Sequence, residues 1–268
     1  MKFIDSHAHL TDPAFEADRD TLIKNLPQAG ICACAEIGCA PNEWEETLNL
    51  AARYDGFIYA VLGVHPEYAA QCGKEELSRL KKLLADPRVK AVGETGLDDT
   101  CLEEANKDLQ RQTFIQMIDC SNEFHKPLVL HIRRVAEDFS PYHDTFSLLK
   151  QSWTPASTLH FTGVLHCFCA QYEQAKQALD NGMLIGINGC FTYKKNEYIR
   201  EAVKKAGADR IILETDCPYL SPQGKRGQRN DPSTIALLAQ FVADYLNIPV
   251  EKLAEITVQN TKKLYKLP

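Results

Sequence analysis

Eight short apolar runs, alternating with stretches of different periodicity, constrain the fold of this chain more than any other feature. The runs are Phe3-Ile4, Ile31 to Ile37, Phe57 to Val64, Val89 to Val92, Leu128 to Ile132, Val164-Leu165, Met183 to Ile187 and Ile211 to Leu213. Between them, Arg19 to Ala29, Glu43 to Ala52, Glu75 to Ala85, Glu103 to Phe124, Gln171 to Asp180 and Glu197 to Ala206 carry apolar residues at helical spacing. Eight strands alternating with helical stretches predict an α/β fold, an eight-stranded parallel β/α (TIM) barrel. The alternative, an open doubly wound sheet, often carries a glycine-rich phosphate turn after its first strand, and Phe3-Ile4 has none. Ser233 to Leu246 and Val250 to Leu264 read as helices packed against the barrel. No Gly/Ser linker or low-complexity tract divides residues 1–268, so one domain is expected.

Barrels carry their chemistry where the strands end, because the loops there are free to vary over a rigid base. The first run ends at His7 and His9, which point the same way because residues i and i+2 of a strand share a face. Two imidazoles side by side suit a first-row divalent cation. The third run ends at His65, the fourth at Glu94, the fifth at His131, the sixth at His166 and the eighth at Asp216. A set of separately satisfied core histidines would show no preference for one end of the strands. Convergence on one rim therefore predicts a metal centre. Asp5, one layer below His7, and Glu214, two residues before Asp216, share those faces. Asp5 is expected to orient the inner residues; Glu214 either orients a histidine or acts as a general acid/base.

Cysteine offers a competing metal site. Cys32 and Cys34 share a strand face and Cys39 follows, but no second short-spaced pair completes a four-ligand zinc site, so packing is the expectation. Cys167 and Cys217 each follow a proposed ligand by one residue and are expected to point away from the metals. The ten cysteines lie largely in apolar runs of a chain without an apolar leader, which predicts reduced thiols and a cytoplasmic protein. No apolar run is long enough to span a bilayer, and no membrane association or obligate protein partner is expected. The net charge of −6 excludes a protein that coats duplex nucleic acid through many phosphate contacts.

The chain resembles the TatD-type metal-dependent deoxyribonucleases of the amidohydrolase-like barrel superfamily. The resemblance runs through Asp5-Ser6-His7-Ala8-His9-Leu10, Gly63-Val64-His65-Pro66, Gly93-Glu94-Thr95-Gly96-Leu97-Asp98, His131-Ile132-Arg133, His166-Cys167-Phe168 and Glu214-Thr215-Asp216-Cys217-Pro218-Tyr219-Leu220, and extends to Arg226-Gly227 with Asn230. It implies a barrel of the metal-dependent hydrolase type. It also implies that His7, His9, Glu94 and Asp216 hold one divalent ion and that Glu94, His131 and His166 hold a second, Glu94 bridging. For His65 it implies contact with the substrate phosphate or protonation of the leaving oxygen; the alternative is a structural histidine beside Pro66. Asp99-Thr100 and Cys169-Ala170 depart from the family pattern, beside the site rather than in its ligands.

Two ions about 3.5–4 Å apart can stabilise both the attacking and the leaving oxygen of a displacement at phosphorus. In this scheme Glu94 and Asp216 join the metals to the chemistry, Asp216 steering or deprotonating the water. Phosphate needs cations in an acidic site, and Arg133, Arg134, Lys225, Arg226 and Arg229 lie beside the fifth and eighth strands; Arg133 and Arg226 are the candidate substrate contacts. A solvated basic loop is the alternative for the Lys225 to Arg229 group. The expected activity is phosphodiester hydrolysis with two divalent ions (Mg, Mn or Zn), as a 3′-to-5′ exodeoxyribonuclease acting on single-stranded DNA ends. An ester or amide hydrolase such as a deacylase is the rival enzyme, and a non-catalytic metal-binding scaffold the rival from another class; the complete ligand set favours an enzyme.

Overall fold

The eight expected strands form one parallel sheet whose spatial order follows the chain: β1 (Phe3–Ala8), β2 (Ile31–Gly38), β3 (Ile58–Leu62), β4 (Val89–Asp98), β5 (Leu128–Arg133), β6 (Gly163–Leu165), β7 (Leu184–Ile187) and β8 (Ile211–Leu213). The computed structural model describes all 268 residues. The ends of the sheet meet at a bridge between Ala8 and Cys217, flanked by Asp216 N–H donating to His7 O (2.9 Å) and His9 N–H to Cys217 O (3.0 Å). The Ser6 hydroxyl adds a bond to Leu213 O, 2.9 Å. The result is the expected TIM-type barrel, and the bonds that close it involve the backbone of His7, His9 and Asp216.

Alternation along the strands sorts the core into two sets. Ala35, Ile37, Val61, Ala91, Val129, Val164, Leu184 and Ile212 pack together with Leu264 and Tyr265 and fill the barrel interior. Their neighbours one residue away, including Cys34, Ala60, Leu62, Val92, Leu130, Leu165, Ile185 and Leu213, pack outward against the helices. Such strands are buried on both faces, which is why they read as continuous apolar runs.

The helices are α1 (Arg19–Asn25), α2 (Trp44–Arg53), α3 (Lys74–Leu84), α4 (Lys107–Phe124), α5 (Ser140–Ser152), α6 (Tyr172–Asp180), α7 (Glu197–Ala206), α8 (Ile235–Leu246) and α9 (Val250–Tyr265). Helix α2 shows how they pack: it buries Trp44, Thr47, Leu50 and Ala51, one stripe at helical spacing. The Trp44 indole N–H donates to Gly63 O at 2.8 Å. Helix α9 closes the barrel's bottom, its Tyr265 hydroxyl donating to Ser6 O (3.0 Å) and its Asn260 amide to Ile211 O (2.9 Å). No single helix is long and apolar enough to cross a membrane.

Two helix boundaries and one whole helix depart most from expectation. The stretch expected as a helix from Arg19 to Ala29 changes to a 3-10 turn at Leu26, where Pro27 lacks the N–H an α-helix needs. Helix α4 begins at Lys107 because the Asn106 side chain caps it, accepting from Leu109 N–H at 3.0 Å. Helix α5 was not expected at all. Its buried Tyr142, Thr145, Phe146 and Leu149 are spaced i, i+3, i+4, i+7, but two of the four are polar or half polar, which hides the stripe.

Candidate metal centre

β4 runs six residues past its apolar core, to Asp98, and so carries Glu94 up to the rim. Glu94 is buried, only 4 % exposed, and its carboxylate forms the hub of the site. Its Oε2 lies 3.2 Å from His7 Nε2; its Oε1 lies 2.6 Å from His131 Nδ1, 3.5 Å from His166 Nε2 and 4.0 Å from His65 Nε2. Asp216 stands opposite, its Oδ1 3.4 Å from His9 Nε2 and 3.7 Å from both His7 and His166 Nε2. The His7 and His166 rings stack with centroids 3.4 Å apart. All seven rim residues named from the sequence are thus within one cluster. It sits at the bottom of a cavity of about 860 Å³ whose lining includes His9, His65, Glu94, His131, His166 and Asp216.

Asp216 adopts a left-handed backbone (φ 59°), which asparagine and aspartate tolerate better than most residues. The turn is held by Asp216 N–H on His7 O and by Tyr219 N–H on Asp216 O, both 2.9 Å. Gly96 permits close approach of β5: a Cβ there would fall 1.9 Å from His131 O. Gly186 likewise leaves room for Glu214, whose Oε2 a Cβ would meet at 2.2 Å.

Burial and mutual charge set the electrostatics. Burial pushes Glu94 up, yet the charges of His166 and His7 and the bond from His131 hold it well below the usual carboxylate range. Burial likewise opposes the charged form of Asp216, and His166, His9 and His7 reverse it and keep it ionised. His131 is drawn down by burial but raised to about 9 by Asp98 and Glu94, and His9 reaches about 9 through Asp216. His7 is lowered by burial and by His166, and His65 falls to about 3 through burial and His131.

The donor set fits divalent cations. Neither ring nitrogen of the fully buried His7 makes an aligned hydrogen bond, and buried polar atoms rarely stay unpaired without a ligand to meet. Two overlapping groups, His7–His9–Glu94 and Glu94–His131–His166, bring their ligand atoms within 4.8 Å of one another. Imidazole and carboxylate together suit first-row divalent ions.

Around this cluster lies a layer that orients it. Glu214 is buried beneath the site rather than lining the cavity; its Oε1 accepts from Cys167 N–H at 2.7 Å and lies 3.1 Å from His166 Nδ1. Asp5 accepts from His7 N–H (3.2 Å), Thr215 N–H (2.9 Å) and the Thr215 hydroxyl (2.5 Å), and burial raises it to about 7 despite those bonds. Sequence reasoning missed two members. Asp98 Oδ2 lies 2.9 Å from His131 Nε2, while Thr100 N–H and hydroxyl donate to Asp98 Oδ1 at 2.7 and 2.6 Å. Thr100, one of the family departures, therefore braces Asp98. Glu36 accepts from Leu10 N–H, Thr11 N–H and the Thr11 hydroxyl at 2.7–2.9 Å and shapes the chain directly after His9. A glutamate inside the apolar run Ile31 to Ile37 was the signal that could have found it.

Other expected residues scatter. His65 lies at the cavity edge, its Nδ1 accepting from Glu67 N–H at 3.2 Å. Arg133 lines the cavity. Arg226 is exposed and stacks on Tyr193, 4.5 Å from the ring centre, outside the cavity lining. Arg229 does not join it: its guanidinium is committed to Asp18 (2.6 and 2.8 Å) and Ala14 O. Arg134 lies 3.6 Å from Glu137 and 4.3 Å over Phe139. Cys217 is fully buried and off the cavity, as expected. Cys167 is a correction. β6 ends at Leu165 and Cys167 turns left-handed (φ 48°), so its thiol faces the site, within 4.8 Å of ligand atoms of His166 and Asp216.

A model of the TatD-related DNases matches residues 4–266. The chain belongs to the TatD-related DNase family. A metal-dependent hydrolase from Bacillus subtilis (strain 168), YabD, is 30% identical over 263 residues, covering 98% of each chain. A 3′-5′ ssDNA/RNA exonuclease TatD from Erwinia billingiae is 31% identical over 269 residues, covering 98% of this chain and 99% of that one. The crystal structure of YjjV, a TatD homologue from Escherichia coli K12, superposes with a TM-score of 0.89 at 27% identity, covering 99% of this chain and 98% of that chain. The TatD family is one of metal-dependent hydrolases, and the barrel is its hydrolase-type TIM barrel.

Proposed function

We propose that this TatD-family hydrolase cleaves phosphodiesters as a 3′-to-5′ exodeoxyribonuclease acting on single-stranded DNA ends. The observation that supports this most is the convergence of four imidazoles on the two oxygens of Glu94, with Asp216 opposite and Arg133 on the cavity wall. His7, His9, Glu94 and Asp216 would hold one divalent ion and Glu94, His131 and His166 a second, Mg, Mn or Zn. Bound there, the ions would supply Lewis-acid stabilisation of charge on the phosphoryl oxygens.

The chain's own groups have distinct parts in this scheme. Asp216, ionised and at the cavity floor, accepts hydrogen bonds from the attacking water and takes its proton. His65 acts as a hydrogen-bond donor: Nδ1 is engaged by Glu67 N–H, which leaves the proton on Nε2, and a group held near 3 is neutral at physiological pH. That favours phosphate contact over protonation of the leaving oxygen. Glu214 positions His166 and the Cys167 amide from below. Arg133 grips a non-bridging phosphate oxygen, and Arg226 meets the strand farther from the scissile bond.

One observation favours a second substrate class. The cavity mouth carries Asp12, Glu43, Glu46 and Glu67, whereas Arg133 is its only Lys or Arg. An acidic mouth repels a polyanion and suits a small ester or amide, the deacylase alternative. The two are separated by hydrolysis of end-labelled single-stranded DNA, RNA and an ester panel by metal-stripped protein, with each divalent ion restored in turn. Stepwise shortening of the DNA from its 3′ end supports the nuclease; cleavage of esters alone replaces it with the deacylase.

A further inference from the structure

Six large hydrophobic side chains stand exposed on this protein, Met1, Leu102, Val135, Tyr198, Tyr219 and Phe241, and only Tyr219 among them lines the cavity. Tyr219 is 56 % exposed, and its ring centroid lies 6.5 Å from that of His9, the two planes 67° apart. The residue is fixed at both ends. Its backbone N–H donates to Asp216 O (2.9 Å), its carbonyl accepts from the Asn230 amide (2.7 Å), and its hydroxyl donates to Asp12 Oδ2 (2.9 Å). The two partners are anchored in turn: Asp12 Oδ1 accepts from Ala14 N–H at 2.7 Å, and the Asn230 amide also donates to Thr215 O at 3.0 Å. Bonds at the backbone and at the far tip hold the ring out over the metal cluster, where apolar surface would otherwise gain by folding away from water.

We propose that Tyr219 is the stacking platform for the nucleobase at the 3′ end of the substrate. The inference rests on the nuclease reading of the site. A strand that enters the cavity end first brings its terminal nucleotide to the floor, where His9 stands, so the base beside the scissile phosphate is the one Tyr219 meets. Charge alone serves such an end poorly, because the mouth sets Asp12, Glu43, Glu46 and Glu67 against Arg133. Stacking escapes that repulsion: a base is uncharged, and every base has a π-face. A ring already held in place also loses little further freedom on binding.

Arg133 ends β5 and Tyr219 follows β8, three strands apart in the ring of eight, so phosphate and base are addressed from different sides of the cavity. A stacking role differs in its consequences from a bracing role for the hydroxyl. If the bond to Asp12 were what mattered, Tyr219→Phe would be as damaging as Tyr219→Ala. If the ring matters, phenylalanine restores most of the loss, whereas leucine, apolar but without a π-face, does not. Stacking is also indifferent to counterions, unlike phosphate contacts, so the ratio of KM between Tyr219→Ala and wild type should not change with salt.

The experiment uses the metal-loaded full chain and a short single-stranded oligonucleotide whose 3′ end is either a normal nucleotide or an abasic tetrahydrofuran unit. On the normal end, Tyr219→Ala and Tyr219→Leu should raise KM about tenfold with little change in kcat, and Tyr219→Phe should recover most of that loss. On the abasic end the wild type should show the same rise, and Tyr219→Ala should cost nothing further, because the contact it removes is already gone. A second oligonucleotide, ending in 2-aminopurine through an uncleavable phosphonate linkage, reads stacking directly: its fluorescence should be quenched by the wild type and not by Tyr219→Ala. Circular dichroism of each variant confirms that it is folded. Equal losses for phenylalanine and alanine, an undiminished alanine effect on the abasic end, or the absence of a difference in quenching would overturn the platform. Quenching by the wild type without shortening of the DNA would keep the platform and remove the nuclease reading, whereas shortening indifferent to Tyr219 would do the reverse.

Discussion

Glu214 Oε1 lies 3.1 Å from His166 Nδ1, with both groups at most 2 % exposed. A carboxylate so placed selects the tautomer and ring orientation of a metal-binding histidine, which is a positioning role rather than contact with substrate. Glu214→Ala should lower metal affinity or turnover by about 10–100-fold. Glu214→Gln, which keeps an acceptor for the Cys167 amide, should fall less. Metal content by mass spectrometry, measured beside kcat, checks this; unchanged metal content and kcat in the alanine variant would remove Glu214 from the site.

Glu94 is the one residue whose two oxygens face different histidines, His7 on one side and His131 and His166 on the other. Glu94→Ala should abolish hydrolysis and lower metal occupancy after dialysis against a divalent ion. It also leaves clustered imidazoles without their buried carboxylate, and breaking such a group typically costs about 3–5 kcal/mol. Full activity with two bound metals would contradict the ligand assignment. Chelation of the wild type should stop hydrolysis, and restoring the ion should recover it.

Arg133 and Arg226 differ in where they stand: Arg133 lines the cavity, and Arg226 stacks on Tyr193 outside it. If both hold phosphate equally in the ground and transition states, each alanine variant raises KM and leaves kcat little changed. A lost charge-assisted contact is worth about 1.5–3 kcal/mol. Arg133→Ala should show the larger rise, and Arg226→Lys should rescue only in part, because lysine keeps the charge without the planar fork. Steady-state hydrolysis of a short single-stranded oligonucleotide at two salt concentrations measures this. Unchanged kinetics in folded Arg226→Ala would make it a surface residue whose partner is Tyr193.

Lys126 gives a pH-dependent stability far from the site. Its ammonium is half-buried with Nζ donating to Val89 O at 2.5 Å, and burial, then Lys90 and Lys266, push it from 10.5 down to about 8. The folded state therefore holds this proton less tightly than the unfolded chain. The cost of charging it is fully present below about pH 8 and disappears as pH rises towards 10.5. Relative to Lys126→Met, the wild type should gain stability across that window, as read from denaturant midpoints of the two proteins. A constant difference from pH 7 to 10.5 would contradict the shift.

Much of this protein is decided by local sequence. Period and burial are local properties, so eight strands apolar on both faces announce a parallel barrel, and the polar residues that end them announce its active rim. That is why His7, His9, His65, Glu94, His131, His166 and Asp216 are legible in the sequence alone. Helix α5 escaped because Tyr142 and Thr145 dilute its apolar stripe. Tertiary structure decided the rest, wherever a side chain's direction depends on a partner distant in the chain or on a backbone that leaves the strand. Asp98 meets His131 across 33 residues and Glu36 meets Leu10 across 26, and neither pairing has a local signature. Strand alternation turns Cys167 away from the metals, but the strand stops at Leu165 and a left-handed residue turns the thiol back towards Asp216. Arg229, adjacent in sequence to a candidate phosphate loop, is claimed instead by Asp18 from the other end of the chain, because an ion pair is chosen by proximity in space.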